Sequence, residues 1–227
     1  MKIKVLVILL TVAVSGTVLS GCKAADVVGK AAVTSYEQLL NKVSDKVIFE
    51  ETSNRWVMNS PTGEIFGTSA DFSIDKPDAV VEFDAEPFLK AGLNVEKLPS
   101  GQYIYDSSTG RITMPYEFGQ TKFNYSGAPT ALETFKNIVD NHRNIIGYHA
   151  ELDHYGIDLG NGNMFEWAKD IEKNDKDIVF VLNPQPFIDA GVDTSKVEGW
   201  VFAKVNVKNK EGKMEAVDKL LKPFNFN

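Results

Sequence analysis

Residues 85–92 read A-E-P-F-L-K-A-G, and residues 184–191, which lie 99 positions later, read P-Q-P-F-I-D-A-G. Both segments have proline and phenylalanine in the middle and end in Ala-Gly. Proline suits the first turn of a helix, and glycine accepts the left-handed backbone that ends one. We therefore interpret the two segments as the same capped turn in two copies of one structural unit, and favour a structural role over a binding role for them.

The similarity at this offset extends well beyond the two turns. Residues 63–97 align without a gap to residues 162–196, and ten of the 35 aligned pairs are identical, whereas ordinary composition gives about two. One residue is lost near Pro99, so that Gly101 aligns with Gly199. A period this long indicates a duplicated domain and not a solenoid. The predicted repeat domains cover residues 34–125 and 130–227.

Each unit is predicted to begin with a helix and to continue as antiparallel strands. An apolar stripe starts at Tyr36 after a Ser35 cap, and its counterpart starts at Phe135 after a capping box of Thr130 and Glu133. In the first unit, strands are predicted over residues 47–52, 55–59, 79–83, 102–105 and 111–114 and around residue 66. In the second unit, strands are predicted over residues 145–152, 155–159, 178–182 and 200–207 and around residue 165. The expected fold class is α+β, a tandem duplication of a unit whose leading helix packs on an antiparallel sheet.

The last element is predicted to be a closing helix at Met214–Leu221. The strand at residues 178–182 is apolar on both faces, so both faces need cover. Its counterpart in the first unit carries Glu82 where the second carries Val181. We therefore expect Val181 to be more buried than Glu82, with the closing helix as the favoured cover.

The N-terminus has the features of an export signal. Lys2 and Lys4 precede an apolar run at residues 5–14, and the small residues needed for cleavage follow. Leu19-Ser20-Gly21-Cys22 resembles the lipobox of bacterial lipoproteins. This resemblance implies a signal peptide at residues 1–21, lipid attachment at Cys22, a tether at residues 22–33 and an extracytoplasmic location on the cell membrane.

Composition narrows the classes of function. The signal segment contains two of the 24 basic residues and none of the 31 acidic ones, so the mature chain has a net charge of −9. This sign argues against nucleic-acid binding, which depends on lysine and arginine. Cys22 is the only cysteine, and its acylation would exclude disulfides and thiol catalysis. We expect no cofactor, and no nucleophile, zinc-protease or P-loop motif is present.

Two groups of residues are candidates for binding. His142, His149 and His154 lie close in sequence and are weak candidates for a metal or haem site, although their positions favour structural roles. Trp167 and Trp200 align with Thr68 and Gln102, so they are weak candidates for a binding surface that is either exposed or specific to the second unit. Trp56 and Tyr155 align with each other and are expected to pack in the core.

These observations favour a lipid-anchored binding or accessory protein without catalytic activity, of the immunity, inhibitor or complex-assembly type, with a protein of the cell envelope as partner. The layout is similar to that of the β-lactamase inhibitor protein, another duplicated α+β protein. The alternatives are a lipoprotein that binds a small ligand, metal or haem and, less favoured, a cell-wall hydrolase.

Overall fold

The computed structural model describes residues 21–72, 74–119, 129–208 and 213–226, and the side chains of all of these except 21–25, 207 and 208. The described helices are α1 (Gly21–Lys42), α2 (Glu86–Lys90), α3 (Ala131–Asn141) and α4 (Gln185–Asp189). The strands of the first unit are β1 (Val47–Glu50), β2 (Arg55–Asn59), β3 (Ile65–Ser69), β4 (Ala79–Asp84), β5 (Ile104–Asp106) and β6 (Arg111–Tyr116). Those of the second are β7 (Ile146–His149), β8 (His154–Gly160), β9 (Asn163–Ala168), β10 (Ile178–Leu182), β11 (Val201–Lys208) and β12 (Met214–Phe224).

The strands form two six-stranded antiparallel sheets with the same order. The first sheet runs β1-β2-β3-β4-β6-β5, and the second runs β7-β8-β9-β10-β12-β11. The aligned residues Phe88 and Phe187 lie in the matching helices α2 and α4, and Gly92 and Gly191 follow with φ of 104° and 97°. The predicted α+β class and the tandem repetition of one unit are therefore confirmed.

An identical buried aspartate closes each unit in the same way. Asp78 and Asp177 are fully buried, and each accepts a backbone N–H, from Phe118 at 2.6 Å and from Phe226 at 2.7 Å. A lysine ammonium contacts the other carboxylate oxygen in both cases. A buried carboxylate needs such partners, which explains why this pair is identical in the two repeats.

The two units pack around an approximate two-fold axis, and equivalent side chains meet on it. Phe66 stacks on Phe165 with ring centroids 4.0 Å apart, and Phe88 lies 4.8 Å from Phe187. Tyr36 stacks on Phe135 at 4.1 Å. In a two-fold symmetric dimer, a residue on the axis contacts the same residue of the other subunit. Here the two repeats of one chain make contacts of this kind. The buried apolar side chains of both units accordingly form one continuous core.

Gly92 and Gly191 lie where the two backbones come closest. Asn94 N donates to Ala190 O at 2.8 Å, and Asp193 N donates to Ala91 O at 2.9 Å. A Cβ on Gly92 would lie 2.9 Å from the carbonyl oxygen of Gly191. Glycine is needed here both for its positive φ and for the close approach.

The first helix packs on the sheet of the other unit. Helix α1 contacts β7, β8 and β9, and Ser35 Oγ accepts a hydrogen bond from Trp167 Nε1 at 2.7 Å. At its end, Lys42 forms an ion pair with Asp177 at 2.9 Å. Because α1 also contacts α3, the helices join the units as well as covering a sheet.

The start of α1 differs from the prediction. The described helix already includes Gly21 and spans the residues interpreted as a tether, and Ala32 is fully buried. Ser35 therefore lies inside the helix and does not cap it. Gly29 permits this packing, because a Cβ there would lie 3.0 Å from Val139 Cγ1. The predicted Thr130–Glu133 capping box of α3, in contrast, is confirmed.

The prediction of a closing helix is wrong, because Met214–Leu221 belongs to strand β12. This strand pairs with β10 and, from Leu221 to Met214, with β11. Alternate side chains such as Leu220 enter the core, so sheet pairing overrides the local pattern. Val181 is 1% exposed while Glu82 is only half-buried. The predicted difference in burial is therefore confirmed, but the predicted closing helix is not what covers Val181.

Candidate functional site

The edge strand β11 of the second sheet contacts the turn that follows the opposite edge strand, β7. Strand β11 and strand β7 lie at opposite edges of this sheet. Nevertheless Asn206 in β11 donates its backbone N–H to Glu151 Oε2 at 3.1 Å, and its side-chain amide also donates to Glu151. Glu151 lies in the turn between β7 and β8. The contact closes the sheet across the face opposite the main core.

A group of charged side chains lies on this face of the second sheet, and we call it the buried polar cluster: His149, Glu166 and Lys219, with Glu151 at its rim. Glu166 is 0% exposed. His149 Nδ1 lies 3.0 and 3.2 Å from the two oxygens of Glu166. Lys219 crosses from β12 and donates to Gly162 O. An acid, an imidazole and an ammonium group therefore share one enclosed face.

A glycine makes room for the buried carboxylate. Gly156 on β8 lies opposite Glu166 on β9, and a Cβ on Gly156 would lie 2.9 Å from Glu166 Cγ. In the first unit the equivalent pair is Val57 opposite Gly67. The glycine is thus on β3 in the first unit but on β8 in the second, and the larger residue lies on the strand paired with it. This reciprocal exchange was visible in the aligned sequences and is the signal that could have found the cluster, which the sequence-based reasoning missed.

The electrostatics of the cluster follow from burial and from opposite charges. Burial alone lowers the pKa of His149, but the hydrogen bond to Glu166 and the negative charges of Glu166 and Glu151 outweigh it. The net pKa of His149 is therefore raised. The pKa of Lys219 is lowered by burial, although Asp158 and Glu166 partly oppose that shift. A cationic His149 is thus favoured between its two carboxylate neighbours.

The free nitrogen of His149 bears on what this cluster can do. Nε2 is buried and has no hydrogen-bond partner among the described residues, and its nearest acid is Glu151 Oε2 at 4.0 Å. A carboxylate–imidazole pair can orient a general base, but a nucleophile must then lie within hydrogen-bond distance of the other nitrogen. Here that nitrogen faces another carboxylate, an arrangement suited to an ion pair.

The three histidines do not form a common site. His142 is buried at the end of α3, with its ring 5.9 Å from that of Phe118. His154 is buried with a ring nitrogen 2.8 Å from Lys176 O. Its counterpart Arg55 makes the equivalent bond to Pro77 O at 2.8 Å, so the role of His154 is structural. Within the described ranges, no three His, Cys, Asp or Glu side chains are placed to hold a metal ion.

The two tryptophans predicted to be exposed are buried, so that prediction is wrong. Trp167 is 0% exposed and donates to Ser35, and Trp200 is 8% exposed and packs on Phe88. Sheet pairing explains Trp200. The strands β5 and β11 align Ile104 with Val201, so the counterpart of Trp200 is the buried Tyr103 and not Gln102. Tyr155 is buried as predicted, and Trp56 is half-buried.

The most exposed apolar surface of the second sheet lies on its edge strand β11. Val201 is 51% exposed and Phe202 43%. Met214, which pairs with Lys208 at the other end of β11, is also exposed. Because Asn206 directs its N–H away from β12, residues two and four positions earlier, Lys204 and Phe202, direct their backbone groups outward as well. This edge therefore offers both apolar side chains and free backbone hydrogen-bonding groups.

A second surface feature is an open, polar groove beside the end of α1. It is lined by Gln38, Lys42, the loop at residues 169–175 and Asn225. Lysines and acids alternate along that loop, and ion pairs such as Lys173–Asp170 use several of them. The groove therefore presents no field of a single sign that would select a charged ligand.

The predicted lipobox lies at the limit of the described part of the chain. Residues 1–20 are outside it, and Cys22 lies in α1 without a described side chain. Among the described residues, no helix is long and apolar enough to cross a membrane. In comparisons with protein families, with curated proteins and with solved structures, nothing matches this chain.

Proposed function

We propose that this chain is a lipid-anchored extracytoplasmic accessory protein, without catalytic activity, that binds another protein of the cell envelope through strand β11. The observation that carries the proposal is a long edge strand with exposed apolar side chains. Natural sheets usually shorten, charge or cover such edges, because an open edge pairs with other chains. An edge left open in this way is suited to a partner that adds a strand.

The contrast with the first unit supports this choice of surface. The equivalent edge strand β5 has three residues, whereas β11 has eight. The two strands have equally exposed apolar side chains at equivalent positions, Ile104 at 52% and Val201 at 51%, and β11 adds Phe202 at 43%. Only β11 continues far enough to pair with an extended segment of a partner. The longer strand is therefore the better candidate interface.

The membrane anchor rests on the sequence of the N-terminus. Replacing Cys22 with alanine should abolish incorporation of an alkyne fatty acid and leave an unprocessed precursor, because the thiol is the acylation site. Metabolic labelling followed by gel mobility measures both effects. Labelling that survives Cys22→Ala would rule out this anchor.

The interface is tested by a matched pair of variants. Lipidated full-length chain is crosslinked in its native envelope, purified and analysed by mass spectrometry for proteins and for bound small molecules. Val201→Asp should reduce capture of the partner by about tenfold or more, since the new charge lies in the apolar part of the edge. Ile104→Asp makes the same change at the equivalent exposed position of β5 and should leave capture unchanged.

Two outcomes would contradict the proposal. Equal capture by the wild type and by Val201→Asp would remove β11 from the interface. A small molecule that co-purifies in equimolar amount, with no protein partner, would favour the ligand-binding alternative.

A further inference from the structure

The closure of the second sheet depends on one acidic side chain. Glu151 accepts both hydrogen bonds from Asn206, and its carboxylate is also the group that faces His149 Nε2 at 4.0 Å. It therefore belongs to two contacts at once, one to the end of β11 and one to the buried polar cluster. Glu151 is therefore the one described residue that contacts both His149 and Asn206 in this way.

Charged and titratable groups face His149 from every neighbouring element of the second sheet. Glu166 contributes a buried carboxylate from β9, and Glu151 contributes a half-exposed one from the β7–β8 turn. Lys219 on β12 opposes them with a positive charge. His154 pairs with His149 across β7 and β8, and its ring is held by backbone carbonyl groups. Asp158 acts mainly on Lys219.

The proton on Nε2 decides whether His149 attracts or repels Glu151. Neutral imidazole has one N–H, and the contact with Glu166 places that proton on Nδ1. Nε2 then presents a lone pair to the negatively charged Glu151. Protonated imidazole donates from both nitrogens and bridges the two carboxylates.

We propose that protonation of His149 fastens the end of the β11–β12 hairpin to the β7–β8 turn, so that opening of the second sheet responds to pH. The closed sheet binds the proton more tightly than the open one. Closure is therefore strongest at acidic pH and weakens as pH rises through the pKa of His149 in the closed form. This pH response does not depend on which partner binds to β11.

Nuclear magnetic resonance tests the proposal on the full-length chain in detergent micelles, over pH values from about 5 to 9. The His149 ring signals give its titration, and the protection of the Asn206 amide against hydrogen exchange, corrected for the intrinsic rate, gives closure. We expect Asn206 protection to fall with the same midpoint as the His149 titration. Each unit by which closure raises the pKa of His149 corresponds to a tenfold change in that protection.

Two variants separate this pH response from a general change in stability. Glu151→Gln should abolish the pH dependence of Asn206 while His149 still titrates through its contact with Glu166. Asp218→Asn removes the exposed Lys204–Asp218 ion pair of the same hairpin, which joins atoms 2.8 Å apart, and should leave the midpoint and the pH dependence unchanged. An Asn206 amide whose protection stays constant while His149 titrates would overturn the proposal, as would unchanged pH dependence in Glu151→Gln.

Discussion

The two units have the same strand order but use the outer face of their sheets differently. In the first unit Val57 lies opposite Gly67, and no carboxylate lies at that position of the face. In the second unit Gly156 lies opposite Glu166, and a longer hairpin closes over the buried carboxylate. One exchange of large and small residues, together with one lengthened hairpin, has thus given two copies of one fold different interiors. At the axis between the units, in contrast, Phe66 and Phe165 are identical, as are Phe88 and Phe187.

The largest expected effect concerns the part that the units share. Phe88→Ala and Phe187→Ala should each lower the free energy of unfolding by about 3–5 kcal/mol, because both rings are fully buried and contact each other. The double variant should cost less than the sum, since each single change already removes their contact. Chemical denaturation measures all three.

Leu89→Ala is the matched control, because its side chain lies on the same helix but is exposed. It should cost less than about 1 kcal/mol. Effects of Phe88→Ala and Phe187→Ala that differ severalfold, or that add without coupling, would show that the two units do not share the axis equally.

The second largest effect is expected in strand β10, which is more deeply buried than its equivalent β4. Val181→Asp should destabilise the protein by more than about 2 kcal/mol, because it places a carboxylate on a fully covered face. Thermal unfolding monitored by circular dichroism measures this loss. At the equivalent position, Glu82→Ala should cost less than about 1 kcal/mol, since Glu82 is half-exposed and its ion pair with Arg111, at 3.2 Å, is screened by solvent.

An unchanged melting temperature for Val181→Asp would contradict the buried environment of that face. A small loss that becomes large when Lys219 is also replaced by methionine would mean that Lys219 pairs with the new carboxylate. The second unit would then reproduce the Arg111–Glu82 pair of the first.

A smaller effect tests the exchange of residues itself. Gly156→Val should cost about 2 kcal/mol, because the added side chain overlaps Glu166. Gly156→Val combined with Glu166→Gly recreates the arrangement of the first unit and should recover part of that loss. Urea denaturation of the single and double variants gives the coupling energy. If the second change recovers nothing, the exchange is not what makes the two interiors different.

The smallest effect compares the two leading helices. Thr130→Ala removes the capping box of α3 and should cost about 1 kcal/mol. Thr34→Ala lies at an exposed position inside α1 and should change stability by no more than about 0.5 kcal/mol. Thermal denaturation is sufficient to measure the difference. A Thr34→Ala variant as destabilised as Thr130→Ala would indicate that α1 begins near Thr34 after all.

Much of the fold was predictable because it depends on short-range patterns. The repeat offset, the strand at residues 178–182, the Thr130 cap and the glycines after the helical turns all follow from local backbone preferences that any copy of the unit must satisfy. After Pro99, the sequence alignment of the two units was off by one residue. The sheet register makes Tyr103 and not Gln102 the counterpart of Trp200, which is why an aromatic core residue was mistaken for a surface one.

The duplication and the α+β class follow from residue order and spacing alone. The lipid anchor is a prediction that rests on the same kind of pattern, at residues 19–22. Three features became visible only in the folded chain: α1 covers the other unit's sheet, Met214–Leu221 is a strand, and His149, Glu166 and Lys219 share one enclosed face. These features join residues far apart in the chain. Their stability comes from burial and pairing between distant elements, which local sequence does not report.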